Sequence, residues 1–175
     1  MDLALTVLRV VVGALFIGHG SQKLFGVFGG GGPAATAEMF ESLELRPGRR
    51  HALMAGGAEF FGGALLALGL LTTLAAAMLI AVMTAAVITV HAKNGIWNTE
   101  RGFEYNLVLA AIAFALACIG PGSWSIDSIL GIELTGVGWG LAALAAGLIG
   151  GAGAVIVGRL HAHGQAHRGP RTHPA

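Results

Sequence analysis

Charge is scarce in this sequence. Only 11% of its 175 residues are Asp, Glu, Lys or Arg, whereas 55% are hydrophobic. A soluble domain typically carries about 25% charged residues, and here the few charges lie between long apolar blocks. The composition therefore excludes an ordinary soluble domain and predicts a polytopic membrane protein that contacts the lipid bilayer. The net charge is only +1, so no nucleic-acid partner is expected.

Cysteine is almost absent as well. The single residue, Cys118, lies within an apolar block. One cysteine excludes an intramolecular disulfide, a CxxC dithiol site and a metal site built only from cysteines. We expect Cys118 to be buried and chemically inert.

Five apolar blocks are long enough to cross a membrane as helices, which requires about 20 residues each. No strand pattern competes with them, so we expect an all-α fold. Residues 1–131 should form a four-helix transmembrane core, residues 132–160 a fifth transmembrane helix, and residues 161–175 a disordered cytoplasmic tail rich in His and Arg. The predicted spans are Leu3–Phe28, Ala52–Leu70, Thr72–His91, Phe103–Gly120 and Gly138–Leu160.

The links between the blocks differ in character. The link from Gly69 to Thr73 is short and uncharged, which predicts a tight hairpin between the second and third spans. Gly29–Gly32 and Pro33 should end the first helix, and the acidic segment that follows should form a short interfacial helix.

The basic residues are strongly asymmetric. Five spans place nine of them on one side of the membrane, whereas the other side has only Arg9, within the first helix. By the positive-inside rule, the N-terminus should lie outside and the C-terminus in the cytoplasm. The nine residues are Lys23, Arg46, Arg49, Arg50, Lys93, Arg101, Arg159, Arg168 and Arg171.

Polar side chains gather at the predicted cytoplasmic end of the spans. At about 1.5 Å of rise per residue, Glu59 lies at a depth similar to that of His19, and charges at membrane depth need a partner or a pathway. The sequence therefore predicts a polar pocket near the cytoplasmic face. Its candidate residues are His19, Gln22, Lys23, Glu59, His91, Trp97, Glu104 and Tyr105.

Each candidate also has an ordinary structural interpretation. Lys23 can extend toward the lipid headgroups, and Trp97 and Tyr105 can be interfacial aromatic residues. Glu104 can simply stabilise a helix N-terminus. On the opposite side, Arg9 needs its own partner, and we expect a buried ion pair with Asp127.

Glycine is abundant, with 29 residues. Gly56, Gly57, Gly62 and Gly63 should allow close helix approach in the second span. In the fifth span, pairs at GxxxG spacing predict either helix packing within the chain or the contact face of a homo-oligomer. These pairs are Gly136/Gly140 and Gly147/Gly151.

Four stretches resemble the DoxX family of bacterial membrane proteins: "LRVVVGALFIGHGSQKLFG" (8–26), "AEFFGGALLALGLLT" (58–72), "HAKNGIWNTERGFEYNLVL" (91–109) and "GPGSWSIDSILG" (120–131). The resemblance implies a four-helix core in the bacterial inner membrane. It also implies a role near the quinone pool, as an accessory subunit that works with a redox protein partner. The chain departs from the family pattern after residue 131.

Several functions remain open at this point. His19 and Glu59 could hydrogen-bond a quinone and exchange its protons, whereas the sequence lacks a dinucleotide fingerprint and is not a self-sufficient oxidoreductase by motif. Haem held by His19 and His91 is a less favoured cofactor. A non-enzymatic assembly or partner protein is the main alternative, and a small transporter is a weaker one.

The tail invites two further interpretations. Its four histidines are a residue type that transition metals bind, but scattered histidines in a basic tail are ordinarily not ligands, and no metal site is predicted. Arg159, Arg168 and Arg171 favour contact with anionic lipid instead. The histidines are His161, His163, His167 and His173.

Overall fold

The computed structural model describes residues 2–166, and all regular structure in this range is helical. The all-α membrane-bundle prediction is therefore confirmed for the described residues. Within residues 2–166 there are seven α-helices: α1 Asp2–Phe25, α2 Gly32–Ser42, α3 Gly48–Leu68, α4 Thr72–Ala86, α5 Glu104–Ile119, α6 Ile126–Leu130 and α7 Val137–Ala166. A π-helical turn, Val87–His91, and a 3₁₀ turn, Ala92–Asn94, extend α4, and a further 3₁₀ turn covers Asn98–Glu100.

Four of the described helices are long and apolar enough to cross a membrane: Asp2–Phe25, Gly48–Leu68, Thr72–Asn94 and Val137–Gly164. The fourth predicted span is shorter than expected. Helix α5 has 16 residues and is therefore about 24 Å long, less than the hydrocarbon core of about 30 Å. The four long helices are thus α1, α3, extended α4 and α7, rather than the first four apolar blocks.

Helix α7 belongs to the bundle and packs against both α4 and α5. It has 30 residues and continues to Ala166. Residues 161–166 are therefore helical, whereas the sequence predicted the start of a disordered tail there. The remainder of that predicted tail, including His167, Arg168, Arg171 and His173, lies outside the described residues.

Helices α1 and α3 run antiparallel and pack backbone against backbone. A Cβ added to Gly13 would lie 2.5 Å from the Gly63 carbonyl oxygen, and one added to Gly20 would lie 2.7 Å from the Gly56 carbonyl oxygen. Such short approaches are possible only for glycine, because any side chain would separate the helices. The buried stripe on α1 is Arg9, Val12, Gly13, Phe16, Gly20 and Ser21.

Helices α4 and α7 run parallel and also approach closely. Gly147 lies against Ile80, and Gly151 lies against the backbone of Ala81. The Gly147/Gly151 pair predicted from the sequence therefore serves packing within the chain. Gly140 lies against Cys118 of α5 in the same way.

Helix α2 closes one end of the bundle. It begins after a glycine run, with Pro33 in its first turn, where proline is well tolerated because the missing N–H has no helical partner. It packs on α3 and, less extensively, on α1. The Glu41 carboxylate accepts a hydrogen bond of 3.2 Å from the Gly48 N–H, which caps the start of α3.

The α1–α3 contact predicts unequal effects of alanine at two glycines of α3. Gly63→Ala should lower stability by about 2 kcal/mol, because the new Cβ would lie 2.6 Å from the Gly13 carbonyl oxygen. Gly57→Ala is the matched control, since it meets open space and alanine is the better helix former. Thermal unfolding in mild detergent measures both. Equal melting temperatures for the two variants would contradict the packing described.

Candidate functional site

An ion pair between a half-buried lysine and a buried glutamate joins α1 to α3. The Lys23 Nζ lies 2.6 Å from Glu59 Oε2, and the side chains are 22% and 5% exposed. The glycine contact between the two helices brings the two charged side chains together, because Gly56 lies directly against Lys23 and Leu24. Glu59 thus has the partner that a carboxylate at membrane depth requires.

The pair opens on a cavity of about 300 Å³. The cavity lies between α3 and α7 and is bounded by α4, by the π-helical turn, and at one end by α2 and Leu45. We call it the α3–α7 groove. Its lining is largely apolar, which is typical of sites for small apolar molecules that carry a few polar groups.

The two sides of the groove differ. On the side of α4 and α7 the side chains are mostly small, whereas α2 and α3 contribute Met39, Phe40 and Met54. Methionine and phenylalanine are adaptable partners for a flat ring. The small residues are Ala81, Ala85, Ala86, Gly150, Gly151 and Ala154.

Beyond the ion pair, two polar side chains line the groove: His51 and Thr89. The Thr89 hydroxyl donates to the Ala85 carbonyl oxygen at 2.7 Å. His51 is 8% exposed, and its imidazole lies against Gly158 of α7. His51 was not among the residues predicted from the sequence, because it lies just before the predicted second span, Ala52–Leu70. The one available signal was its position eight residues before Glu59, which places both on one side of α3.

His19 and Gln22 lie outside the groove lining. His19 is exposed, and its Nδ1 lies 3.2 Å from Gln22 Oε1. The Gln22 amide donates to the Phe28 carbonyl oxygen at 3.0 Å. These two side chains therefore order the turn after α1.

The other four predicted pocket residues lie at the end of extended α4, in the connection that follows it, and in the first turn of α5. His91 Nδ1 lies 2.9 Å from the Arg101 carbonyl oxygen, and Glu104 Oε2 accepts from the Asn98 N–H at 3.0 Å. Trp97 and Tyr105 are 64% and 46% exposed. The predicted single pocket of eight residues is thus divided: only Lys23 and Glu59 line the groove.

The predicted ion pair between Arg9 and Asp127 does not form directly. Both residues are buried, but the Asp127 carboxylate accepts from the Leu71 N–H at 2.7 Å and from the Thr72 N–H at 3.0 Å. It also accepts from the Thr72 hydroxyl at 2.7 Å. The first N–H groups of a helix have no partner within it. At the start of α4 these groups hydrogen-bond the Asp127 carboxylate, whereas the Arg9 guanidinium does not.

Arg9 instead connects α1 to the loop before α6. Its Nη2 donates to the Trp124 carbonyl oxygen at 2.7 Å, while its Nε and Nη1 are buried without a hydrogen-bond partner. The guanidinium packs on Gly69, where any Cβ would overlap it. Gly69 ends α3 in the left-handed conformation, so a glycine is required there for both reasons.

The described residues contain no group of three or more His, Cys, Asp or Glu placed to hold a metal ion. His19 and His91, considered as haem ligands, contact different local groups, Gln22 and Arg101 respectively. The geometry therefore offers no support for a haem held between them.

Long apolar helices, glycine-mediated packing and a buried ion pair at membrane depth define a multi-pass membrane helical bundle. The DoxX family model matches residues 4–92, just over half of the chain, and the protein belongs to this family. A Bacillus subtilis (strain 168) protein named "Putative oxidoreductase CatD" is 30% identical over 115 residues, which cover 66% of this chain and 79% of that relative. No solved structure matches.

Two substitutions at Asp127 separate helix capping from ion pairing. Asp127→Ala removes every acceptor at the start of α4 and should lower stability by about 2 kcal/mol. Asp127→Asn keeps one acceptor oxygen and should lose about half as much, as measured by thermal unfolding in detergent. If asparagine were as damaging as alanine, the charge of Asp127, rather than its capping bonds, would be the stabilising feature.

The unequal exposure of Lys23 and Glu59 predicts unequal single variants. Lys23→Met leaves Glu59 buried without a partner and should destabilise the protein by up to about 3 kcal/mol. Glu59→Gln should be milder, since the Lys23 ammonium can extend to water. The double variant Lys23→Met/Glu59→Leu should recover stability relative to Lys23→Met in the same unfolding measurement. A Lys23→Met protein as stable as the wild type would show that the pair is not formed.

Proposed function

We propose that this protein is an accessory membrane subunit of a redox system linked to the quinone pool, and that a quinone ring binds in the α3–α7 groove. One observation carries the proposal: an ion pair with a buried carboxylate lies in the wall of a largely apolar cavity. Such a combination suits a ligand that is apolar in bulk but carries strong hydrogen-bond acceptors.

The residues of the groove fit a quinone. The Lys23 ammonium has three N–H donors and only one is needed for Glu59, so it can also donate to a quinone oxygen. The apolar walls match the ring and exclude water from it. A bound quinone would supply two-electron, two-proton redox chemistry, while this chain would bind and orient the ring and hold a carboxylate beside its oxygen.

An accessory role follows from what else the chain carries. It has one cysteine and no dinucleotide-binding motif, so electrons must come from a partner protein. The oxidoreductase name of the relative CatD is in line with redox chemistry in this family. We therefore propose a membrane or membrane-associated redox protein as the partner, and a homo-oligomer as the alternative assembly.

The proposed orientation places the groove near the cytoplasmic face of a bacterial inner membrane. The antiparallel and parallel helix contacts bring the C-terminal ends of α1, extended α4 and α7 to the end of the bundle where α3 begins. This end carries Lys23, Arg49, Arg50, Lys93 and Arg159. Positive charge is enriched on the cytoplasmic side of membrane proteins.

A pair of glycines on α7 provides the test. Gly150 lines the groove, and a Cβ there would make only an ordinary contact of 3.8 Å with Ala81. Gly150→Leu should fold and fill the groove, so quinone that copurifies with the wild type in mild detergent should fall about tenfold. Gly153→Leu is the matched control, since Gly153 meets open space. Mass spectrometry of the extracted small molecules measures the quinone.

The outcomes are distinct. Quinone retained by the wild type and Gly153→Leu but lost from Gly150→Leu would support the proposal. A wild-type protein free of quinone that copurifies with another membrane complex would contradict it and favour the assembly or partner role. Equal quinone in all three proteins would place the binding site outside the groove.

A further inference from the structure

We infer that an anionic phospholipid binds at the end of the α3–α7 groove where α3 begins, and that Arg50 and His161 hold its phosphate. The site lies about one helical turn beyond the apolar lining of the groove. The inference goes beyond the proposed function and does not depend on a bound quinone.

Arg50 forms the edge of the site on α3. It is exposed and comes four residues before Met54, which lines the groove. Residues four apart lie on the same face of a helix, so Arg50 continues the groove-lining face toward the start of α3. Arg49 lies about 100° away around the helix axis. It comes seven residues before Gly56, which packs on α1, and therefore belongs to the α1 side of α3.

His161 forms the edge of the site on α7. It is exposed and comes seven residues, or about two helical turns, after Ala154, which lines the groove. Its Nδ1 lies 2.8 Å from the Val157 carbonyl oxygen, so Nε2 is the ring nitrogen left for a ligand. His163 makes the same contact with the Arg159 carbonyl oxygen at 2.8 Å. Two residues turn a helix by about 200°, so His163 lies on the opposite side of α7.

The contact between α3 and α7 brings these two edges to one place. The Arg46 N–H donates to the Gly158 carbonyl oxygen at 3.2 Å, and a Cβ at Gly158 would lie 2.9 Å from His51 Nε2. The His51 imidazole also hydrogen-bonds the Arg46 backbone. It lies within electrostatic range of both Arg50 and His161. The two proposed binding residues therefore flank one buried imidazole, each from a different helix.

The charge of this place suits a phosphate. The Arg50 guanidinium is planar and can bind two phosphate oxygens through parallel hydrogen bonds. A protonated imidazole at His161 adds a donor at Nε2. The charged groups that act on His51 are both basic. The acidic side chain that contacts the start of α3, Glu41, accepts from the Gly48 N–H at 3.2 Å. Positive charge thus predominates where the two helices meet.

The neighbouring apolar surface favours a lipid over a soluble anion. Met54 and Val157 are 54% and 49% exposed, and each lies about one turn from a proposed binding residue, toward the middle of its helix. Exposed apolar side chains in this position can contact the acyl chains of a lipid whose phosphate lies at the helix ends. Basic residues between transmembrane helices bind anionic headgroups on the cytoplasmic side, which is the side proposed for this end of the bundle.

The experiment compares two phospholipids with the same acyl chains. Phosphatidylglycerol and phosphatidylcholine both contain a phosphate, but only phosphatidylglycerol has a net negative charge. Each is titrated into the full-length protein in mild detergent, and bound lipid is measured by native mass spectrometry. The wild type should bind phosphatidylglycerol about tenfold more tightly than phosphatidylcholine. Arg50→Gln and His161→Gln should each weaken phosphatidylglycerol binding about fivefold and leave phosphatidylcholine binding unchanged.

Each variant has a matched control. Arg49→Gln removes the same charge from the neighbouring position of α3. His163→Gln removes a histidine with the same backbone contact from the opposite side of α7. Both control proteins should bind phosphatidylglycerol as the wild type does. All four side chains are exposed, so the variants should fold, and thermal unfolding verifies this.

Inorganic phosphate distinguishes a lipid from a soluble anion. Added in large excess, it should leave phosphatidylglycerol bound, because it has no acyl chains. Displacement of the lipid by phosphate would identify a soluble anion as the ligand and overturn the lipid assignment.

The inference would also be overturned if the wild type bound the two lipids equally, or if Arg50→Gln and His161→Gln bound phosphatidylglycerol no more weakly than their controls. The effect of Gly150→Leu on copurifying quinone tests the proposed function separately. Either proposal can therefore fail while the other stands.

Discussion

The close contact between α1 and α3 determines where the charges of this protein lie. Gly13 and Gly20 on α1 and Gly56 and Gly63 on α3 let the two backbones meet, and this contact brings Lys23 within reach of Glu59 near one end of the helix pair. Near the other end, the same approach brings Arg9 against Gly69. Both arrangements depend on residues that have no side chain, because a Cβ at these glycines would separate the helices or overlap the Arg9 guanidinium.

Much of the fold follows from the sequence by local physics. Apolar length predicts the helices, and the short Gly69–Thr73 link predicts the hairpin between α3 and α4. The depth estimated from the helical rise per residue places Glu59 near the C-terminal end of the first helix, where Lys23 pairs with it. The prediction of an ion pair between Arg9 and Asp127 was wrong, because the free N–H groups at the start of α4 compete for the carboxylate. That competition depends on the position of the loop before α6, which only the tertiary structure reveals.

The α3–α7 groove could not be predicted from the sequence. One of its walls comes from α7, which lies outside both the matched residues 4–92 and the resemblance observed by motif. His51 was overlooked because its burial depends on Gly158, more than one hundred residues later in the chain. The candidate site therefore combines a motif-bearing region, which sequence reasoning can address, with a helix whose relevance is visible only from its packing against α4.

The unequal exposure of the buried pair has a consequence for access. The Lys23 side chain is 22% exposed, whereas that of Glu59 is 5% exposed, so a molecule that approaches the pair from outside the bundle meets the ammonium before the carboxylate. The positive charge repels metal ions and protonated amines. The ammonium would therefore disfavour a cationic ligand at the proposed site, whereas an uncharged, lipid-soluble ligand would not meet this barrier.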